Sequence, residues 1–313
     1  LWVFPVNRFG QPKQRSVPVP AEGSATNADA HPRSESAMVS DRRSPDAASG
    51  TPASWRMPGV DLIEEICGAS AYQRLQELSS VGPLTPAECR ALAEFVSGPT
   101  ANESLERMAS IKNAVMNVLA RQPNLPERWE DLLRRMIEDD GQHAVIRAYA
   151  LQQLFTWYDG RTEPRQPDGS DDQELGAVRQ FFWRMADHAE GSLSATALVG
   201  LCHLAGDDHG VDPAEVGAKA SALLERSGVD PLVEISAFQV AALLGETGVM
   251  ARALEVAEAG PTVASRVSAV AAVGAVGDIG ALPRMKRLLD DPNASVRNAA
   301  RAAIARLESN HGG

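Results

Sequence analysis

The sequence predicts an all-α protein, a right-handed α-solenoid of five or six helix pairs that spans roughly residues 60–310. From about residue 60, apolar residues recur at spacings of three and four, and proline, glycine or aspartate interrupts them every 12 to 20 residues. This texture is typical of successive amphipathic helices, and strand signals are absent. A short residue pattern also recurs at intervals of 30 to 47 residues, which is the size expected for repeats built from two helices.

Three helix starts can be placed from their capping residues. Each combines an N-cap side-chain oxygen with a proline at the first helical position, where no amide hydrogen is needed. The three are Thr85-Pro86, Asp212-Pro213 and Asp230-Pro231. In the first two, Glu88 and Glu215 add a carboxylate to the positive first turn of the helix.

The repeat is defined by an apolar residue, an arginine, an alanine three positions later and a large apolar residue seven positions later. The segments that begin at Ile146-Arg147 and Val296-Arg297 share this pattern, and Arg266 with Ala269 and Val273 fits it too. Ser194 takes the arginine position in another copy, and Ser236, with Gln239 and Leu243, fits more loosely. The marker positions are therefore 147, 194, 236, 266 and 297.

The segment Leu288-Leu289-Asp290-Asp291-Pro292-Asn293-Ala294-Ser295-Val296-Arg297 resembles the Asp-to-Arg signature of HEAT and HEAT-like repeats. Asp139-Asp140 followed by Ile146-Arg147 resembles a second copy, and the resemblance covers about two thirds of the helical region. It implies a HEAT-like α-solenoid in which Asp290 or Asp291 with Arg297, and Asp140 with Arg147, join neighbouring repeats through hydrogen bonds. Arg266 belongs to the same structural ladder.

The first 57 residues differ in composition from the rest. Residues 11–57 are dense in Pro, Ser, Ala, Asn, Asp and Gly and hold almost no large apolar side chain, which predicts a disordered tether before a repeat domain at 58–313. Residues 1–10 are either the remnant of a signal or anchor, which would make the protein extracytoplasmic and membrane-tethered, or simply where the sequence starts, so the compartment stays open. No apolar run is long enough to span a membrane.

Charge and cysteine content restrict the function classes. The chain carries 41 acidic and 30 basic residues, a net charge of −11, which argues against binding nucleic-acid phosphates. Its three cysteines cannot form a disulfide framework and show no Cys-x-x-Cys spacing.

One segment combines metal-ligating residue types. Cys202, His203, Asp207, Asp208, His209 and Asp212 offer thiolate, imidazole and carboxylate groups within eleven residues. A structural interpretation is favoured, in which a helix ends near Ala205-Gly206, a polar turn follows and Asp212 caps the next helix. The sequence therefore predicts no cofactor and no catalytic residue, with Cys202, His203, Asp207 and His209 as the candidate ligands if a metal is bound.

Among HEAT-like enzymes, deoxyhypusine hydroxylases bind iron through His-Glu dipeptides. No histidine of this chain is followed by glutamate, which disfavours that activity. The residues after His31, His143, His188, His203, His209 and His311 are Pro, Ala, Ala, Leu, Gly and Gly.

Aromatic residues mark a candidate contact surface. Trp157 and Tyr158 end one helix, and on a helical projection Trp183 lies on the far side of the next helix from its apolar stripe. Trp183 is either an exposed anchor for a partner or is covered by the long connection 159–172. Trp183, Trp157 and Tyr158 are the candidate partner-binding residues.

Repeat texture and the lack of a catalytic constellation predict a non-catalytic scaffold that binds an unidentified protein partner and no nucleic acid. Membrane association is expected only through an N-terminal anchor. The alternative is a metal-assisted enzyme that uses the segment from Cys202 to Asp212.

Overall fold

The computed structural model describes residues 73, 75, 77, 83–99, 105–123, 128–162, 171–205 and 209–311. All of them belong to one compact unit, Ser54–Gly313. The predicted tether at 1–57, with its segment 1–10, lies outside the described residues.

Between residues 83 and 311 the described ranges contain twelve α-helices and three short 3₁₀ turns, residues 73, 75 and 77 are also helical, and none of the described residues lies in a strand. The helices are α1 (Pro86–Ser97), α2 (Leu105–Ala120), α3 (Trp129–Glu138), α4 (Ala144–Thr162), α5 (Asp171–Ala186), α6 (Gly191–Leu204), α7 (Pro213–Leu224), α8 (Pro231–Leu244), α9 (Met250–Ala259), α10 (Val263–Val276), α11 (Leu282–Arg287) and α12 (Ala294–His311). The 3₁₀ turns are Thr247–Val249, Ile279–Ala281 and Leu288–Asp290. Within these ranges, no helix has both the length and the apolar character that crossing a bilayer requires.

Local capping determines where three of the helices begin. The Thr85 hydroxyl accepts a hydrogen bond from the Glu88 amide, and the Glu88 carboxylate accepts one from the Thr85 amide, which completes a capping box. Asp212 and Asp230 each accept from the amide two residues further on, at 2.8 Å. Helices α1, α7 and α8 accordingly start at the prolines that the sequence indicated.

The helices form pairs arranged in two layers. The first helices α1, α3, α5, α7, α9 and α11 each pack against the second helix that follows them in the chain. The second helices α2, α4, α6, α8, α10 and α12 also pack against one another in chain order. This order of packing is that of an all-α solenoid, with six pairs in the described part of the chain.

Alanines allow the second helices to approach closely. The alanine three positions after the repeat marker is completely buried in five second helices, namely at Ala150, Ala197, Ala237, Ala269 and Ala300. The predicted marker at Ser236 is wrong, because its partners Gln239 and Leu243 are exposed. Glu234 holds the equivalent fourth position of α8, and it precedes the buried Ala237 and Ala241.

Two arginines of the predicted ladder join neighbouring helix pairs. Arg147 donates from Nε to the Ile137 carbonyl at 2.7 Å and from Nη1 to Glu190 at 2.9 Å, and Asp140 lies 3.0 Å from the same nitrogen. Glu190 stands directly before α6 and so belongs to the next pair.

Arg266 repeats this arrangement with the Ala257 carbonyl and the Asp291 carboxylate, which lies in the next pair. The other expected ladder residues differ. Arg297 donates to the carbonyls of Asp291 and Pro292, which lie within its own pair, and Asp290 is exposed. The link at this point therefore runs from Arg266 to Asp291.

Candidate functional site

The segment from Cys202 to Asp212 begins in the last turn of α6 and ends at the residue that caps α7, and its candidate ligands lie in different environments. The side chain of Cys202 is buried within α6, and this burial raises the pKa of the thiol to about 11. The free thiol is therefore protonated at neutral pH and is a poor nucleophile. His203 is half-buried, Asp212 caps α7, and Asp207 lies outside the described residues.

His209 is the member of this segment that meets a second chemically active group. Its imidazole is buried, and Nε2 lies 3.3 Å from Oδ1 of Asp159 in α4. The Asp159 side chain is 33% exposed, so this carboxylate connects the buried imidazole with solvent.

The loop that carries His209 is fixed by its backbone. Tyr158 donates from its hydroxyl to the His209 carbonyl at 2.9 Å, and Arg179 of α5 donates to the same oxygen at 3.3 Å. Gly210 follows with φ of 71°, and a Cβ at this position would lie 2.2 Å from the Arg179 guanidinium. Glycine is needed here both for the left-handed backbone and for the approach of Arg179.

Two of the predicted partner-binding residues lie in the core. Trp157 and Tyr158 are 7% and 1% exposed, so they offer no surface to a partner. Phe155 stacks on Phe182 with ring centroids 3.8 Å apart, and Tyr158 meets Phe182 edge-on at 5.4 Å. This aromatic cluster joins α4 to α5, and Asp159 directly follows the cluster in the sequence.

Trp183 is half-buried and lines an open groove between α5 and α7. The groove has a volume of about 450 Å³ and is also lined by Glu215, Ala218, Lys219 and Ala222. Trp183 lies twelve residues after the start of α5, which corresponds to about 18 Å along the helix axis. The part of the 159–172 connection between α4 and α5, residues 163–170, lies outside the described residues.

Ion pairs connect the two walls of this groove. Asp187, just after α5, binds Lys219 at 2.8 Å and Arg226 at 2.6 Å. Burial raises the pKa of the Asp187 carboxyl, but the hydrogen bonds and charges of the two cations lower this pKa by a larger amount. The pKa of Asp187 is therefore below its usual value.

The structure buries one lysine, Lys112, that no sequence pattern indicated. Lys112 is 1% exposed, and its ammonium donates to the Gly98 carbonyl at the end of α1. Gln142 donates to the carbonyls of Ser97 and Gly98 at 3.1 and 3.0 Å. Burial lowers the pKa of Lys112, but the ammonium caps a helix end and has no access to solvent. Its role is therefore structural.

In the part of the chain that the structure describes, no three His, Cys, Asp or Glu side chains lie close enough together to hold a metal ion. His209 and Asp159 form a pair. The two carboxylates that precede His209 in the sequence, Asp207 and Asp208, lie outside the described residues.

No protein-family model matches the chain, and no curated protein matches it. Among solved structures, it is similar to human deoxyhypusine hydroxylase in complex with glycerol. The two chains are 14% identical with a TM-score of 0.33, and the match covers 80% of this chain and 94% of the hydroxylase chain. The chain is an all-helical repeat protein.

One prediction from the sequence is corrected at this point. The sequence predicted a non-catalytic scaffold, with a metal-assisted enzyme as the alternative, whereas the structural neighbour is named as an enzyme. At this identity and TM-score the likeness transfers no residue, substrate or metal. The iron motif of that family does not fit this chain, which has no His-Glu dipeptide. The chemistry of the chain must therefore follow from its own residues.

Proposed function

We propose that this protein is a HEAT-like repeat enzyme that uses a divalent metal ion held at the loop between α6 and α7, with His209 and Asp159 as two of its ligands. The observation that carries the proposal is the 3.3 Å separation of His209 Nε2 and Asp159 Oδ1. Nitrogen and oxygen ligands at about 2.0–2.2 Å from a tetrahedral ion lie roughly 3.3–3.6 Å apart. The pair therefore has the spacing of two adjacent ligands without any movement of the backbone.

The surroundings of the pair suit a metal site. Tyr158 and Arg179 hold the backbone that carries the imidazole through the His209 carbonyl, and neither group is itself a ligand. The partial exposure of Asp159 supplies a path from solvent.

This assignment narrows the metal-assisted alternative. Cys202 drops out of the ligand set because, among the described residues, no third His, Cys, Asp or Glu side chain lies close enough to His209 and Asp159 to share an ion with them. The set is then imidazole and carboxylate, a combination that suits zinc and other divalent first-row ions. A bound ion of this kind would supply Lewis-acid chemistry and a more acidic water molecule. The HEAT-like assignment is supported by the arginine links from Arg147 and Arg266 to the following helix pairs.

Elemental analysis of the full chain, purified without chelator, tests the proposal. We expect about one equivalent of a divalent metal in the wild type and loss of most of it in His209→Ala and Asp159→Asn. His143→Ala is the matched control, since His143 is an exposed histidine directly before α4. Circular dichroism establishes that each variant is folded. Substoichiometric metal in the wild type, or unchanged metal content in both folded variants, would refute the proposal.

A further inference from the structure

We propose that the solvent-facing side of the second helices, from α4 to α12, binds a basic amphipathic helix of a partner protein. This surface, the second-helix face, consists of the positions two residues before the repeat marker and two, five and nine residues after it. The markers are residues 147, 194, 234, 266 and 297. At 3.6 residues per turn the four positions fall within an arc of about 60°, so they share one side of each helix. None of them belongs to the proposed metal site, so the inference is independent of it.

The second-helix face is open to solvent and almost uncharged. None of its twenty residues is buried, and they include no aspartate, glutamate or lysine and one arginine, Arg306. Charged residues make up 23% of the chain, so their near absence from twenty accessible positions distinguishes this face. In α8 the four positions are Leu232, Ser236, Gln239 and Leu243, and the two leucines are 54% and 57% exposed.

This composition suits the centre of a protein interface. Ionised groups are costly to remove from water, and the cores of interfaces are depleted of charged residues for this reason. Covering the exposed leucines of α8 is favourable, since it removes apolar surface from water. Twenty residues is also about the number that one side of a stable interface contributes.

The edge of the face at which the second helices begin is acidic. The turns before these helices are residues 139–143, 187–190, 225–230, 260–262 and 288–293, and together they contain eight carboxylates and one arginine. The arginines at three of the markers and the lysine that binds Asp187 offset part of this charge. The net charge of this edge is then −3.

The opposite edge of the face is acidic as well. The turns that follow α6, α8 and α10 contain three carboxylates and no lysine or arginine in the described residues 209–212, 245–249 and 277–281. Glu246 and Asp278 each accept a hydrogen bond from a backbone amide at 2.8 Å, and neither forms an ion pair with a described residue. The C-terminal ends of α4 and α12 each add one arginine and one carboxylate, which leaves the balance unchanged.

The acidic edges select a partner with basic groups on both sides of an apolar centre. A second copy of the chain carries the same carboxylates and a net charge of −11, so two such faces repel each other. Nucleic-acid phosphates and anionic lipids are repelled for the same reason. A basic amphipathic helix has the required pattern. The 14 residues of α8 make the face about 21 Å wide, and lysines that flank a helix of about 10–12 Å diameter extend towards both edges.

Binding of a synthetic helical peptide to the full chain tests the proposal. The probe is a fluorescein-labelled peptide of about 18 leucine and lysine residues, with the leucines at helical spacings of three and four. One control peptide has the same composition in scrambled order, and a second has glutamate in place of lysine. We expect saturable binding of the probe by fluorescence anisotropy, at least roughly tenfold weaker binding of the scrambled peptide, and no binding of the glutamate peptide.

Three variants place the binding on the second-helix face. Leu243→Lys introduces a charge of the same sign as the peptide and should weaken binding at least roughly tenfold. Asp290→Lys reverses one exposed charge at the edge and should weaken it about threefold. Ala251→Lys, at an exposed position of the first helix α9, is the matched control and should bind as the wild type. Circular dichroism establishes that each variant is folded.

The contrary results are equally specific. No saturable binding of the probe, equal binding of the probe and the scrambled peptide, or equal binding by Leu243→Lys and Ala251→Lys would overturn the proposal. Self-association of the free chain that Leu243→Lys abolishes would also overturn it, because the face would then belong to a second copy.

Discussion

Replacing Gly274 by alanine tests how closely the second helices pack. Gly274 lies inside α10, and a Cβ built on it would lie 2.7 Å from the Cα and 2.8 Å from the Cβ of Ala303 in α12. Backbone cannot rotate away as a flexible side chain can, so the added methyl group must push the two helices apart. Overpacking of this kind costs about 1–3 kcal/mol, and alanine recovers about 1 kcal/mol of helix propensity. We expect a net destabilisation of up to about 2 kcal/mol, and therefore a protein less stable than the Gly176→Ala variant described next.

The same substitution at Gly176 is the matched control. Gly176 lies inside α5, and a Cβ there would meet nothing within 4 Å. Only the helix propensity changes at this position, so Gly176→Ala should stabilise the protein by up to about 1 kcal/mol. Urea unfolding followed by circular dichroism measures both variants, with the slope compared to ensure that the same unit unfolds. A Gly274→Ala protein that gains as much stability as Gly176→Ala would refute the close contact of α10 and α12.

Three further predictions follow from buried or paired groups. Arg147→Ala should lower the free energy of unfolding by about 2–4 kcal/mol, because the Glu190 carboxylate loses a buried partner. Arg297→Ala, which breaks bonds only within its own pair, should cost less. Two arginines hold the pKa of Glu258 at about 2, below its usual value, so this carboxylate stabilises the protein at neutral pH and loses that effect as the pH falls towards 2. Glu258→Gln should therefore cost about 1 kcal/mol at pH 7, since the pair is one-third exposed, and nothing near pH 2. Cys202 should react with a thiol reagent only after unfolding, as peptide mass mapping would show.

Each of these predictions has a contrary outcome. Equal losses in Arg147→Ala and Arg297→Ala would show that the link between pairs adds nothing. A stability difference for Glu258→Gln that persists at pH 2 would show that the carboxylate acts through packing instead of charge. Labelling of Cys202 in the folded protein would show that α6 opens readily.

The helical layers could be predicted because their determinants are local. Capping residues define the start of α8 at Pro231, and buried alanines recur at one position of the second helices. The sequence predicts the marker of this helix at Ser236, two residues too late, because Glu234 does not resemble the arginine or serine that holds the marker position in the other copies. That position accepts any side chain that can bond to neighbouring elements. Ser194 donates to the Ala186 carbonyl at 2.6 Å, whereas Glu234 accepts from Arg252 at 3.0 Å.

The candidate site was predicted only in part, because its geometry depends on tertiary packing. His209 could be named from its neighbours in the sequence, but Asp159 lies on another helix, and only the docking of the loop brings the two together. Trp183, which the helical projection places off the apolar stripe of α5, is half-buried beside the groove. The sequence feature that corresponds to the groove is the pair of alanines on α7, Ala218 and Ala222, which are exposed and line it.

The two layers are held together by different forces, and this difference explains where a groove can form. The second helices are joined by close contacts between small apolar residues, which leave no space. The first helices are bridged by ion pairs at their exposed surfaces: Glu138–Arg184, Asp187–Lys219 and Glu258–Arg284. Long charged side chains can span a gap that methyl groups cannot, and such pairs contribute little stability. A groove between two first helices therefore costs the fold little, which is why the opening beside Trp183 lies in that layer.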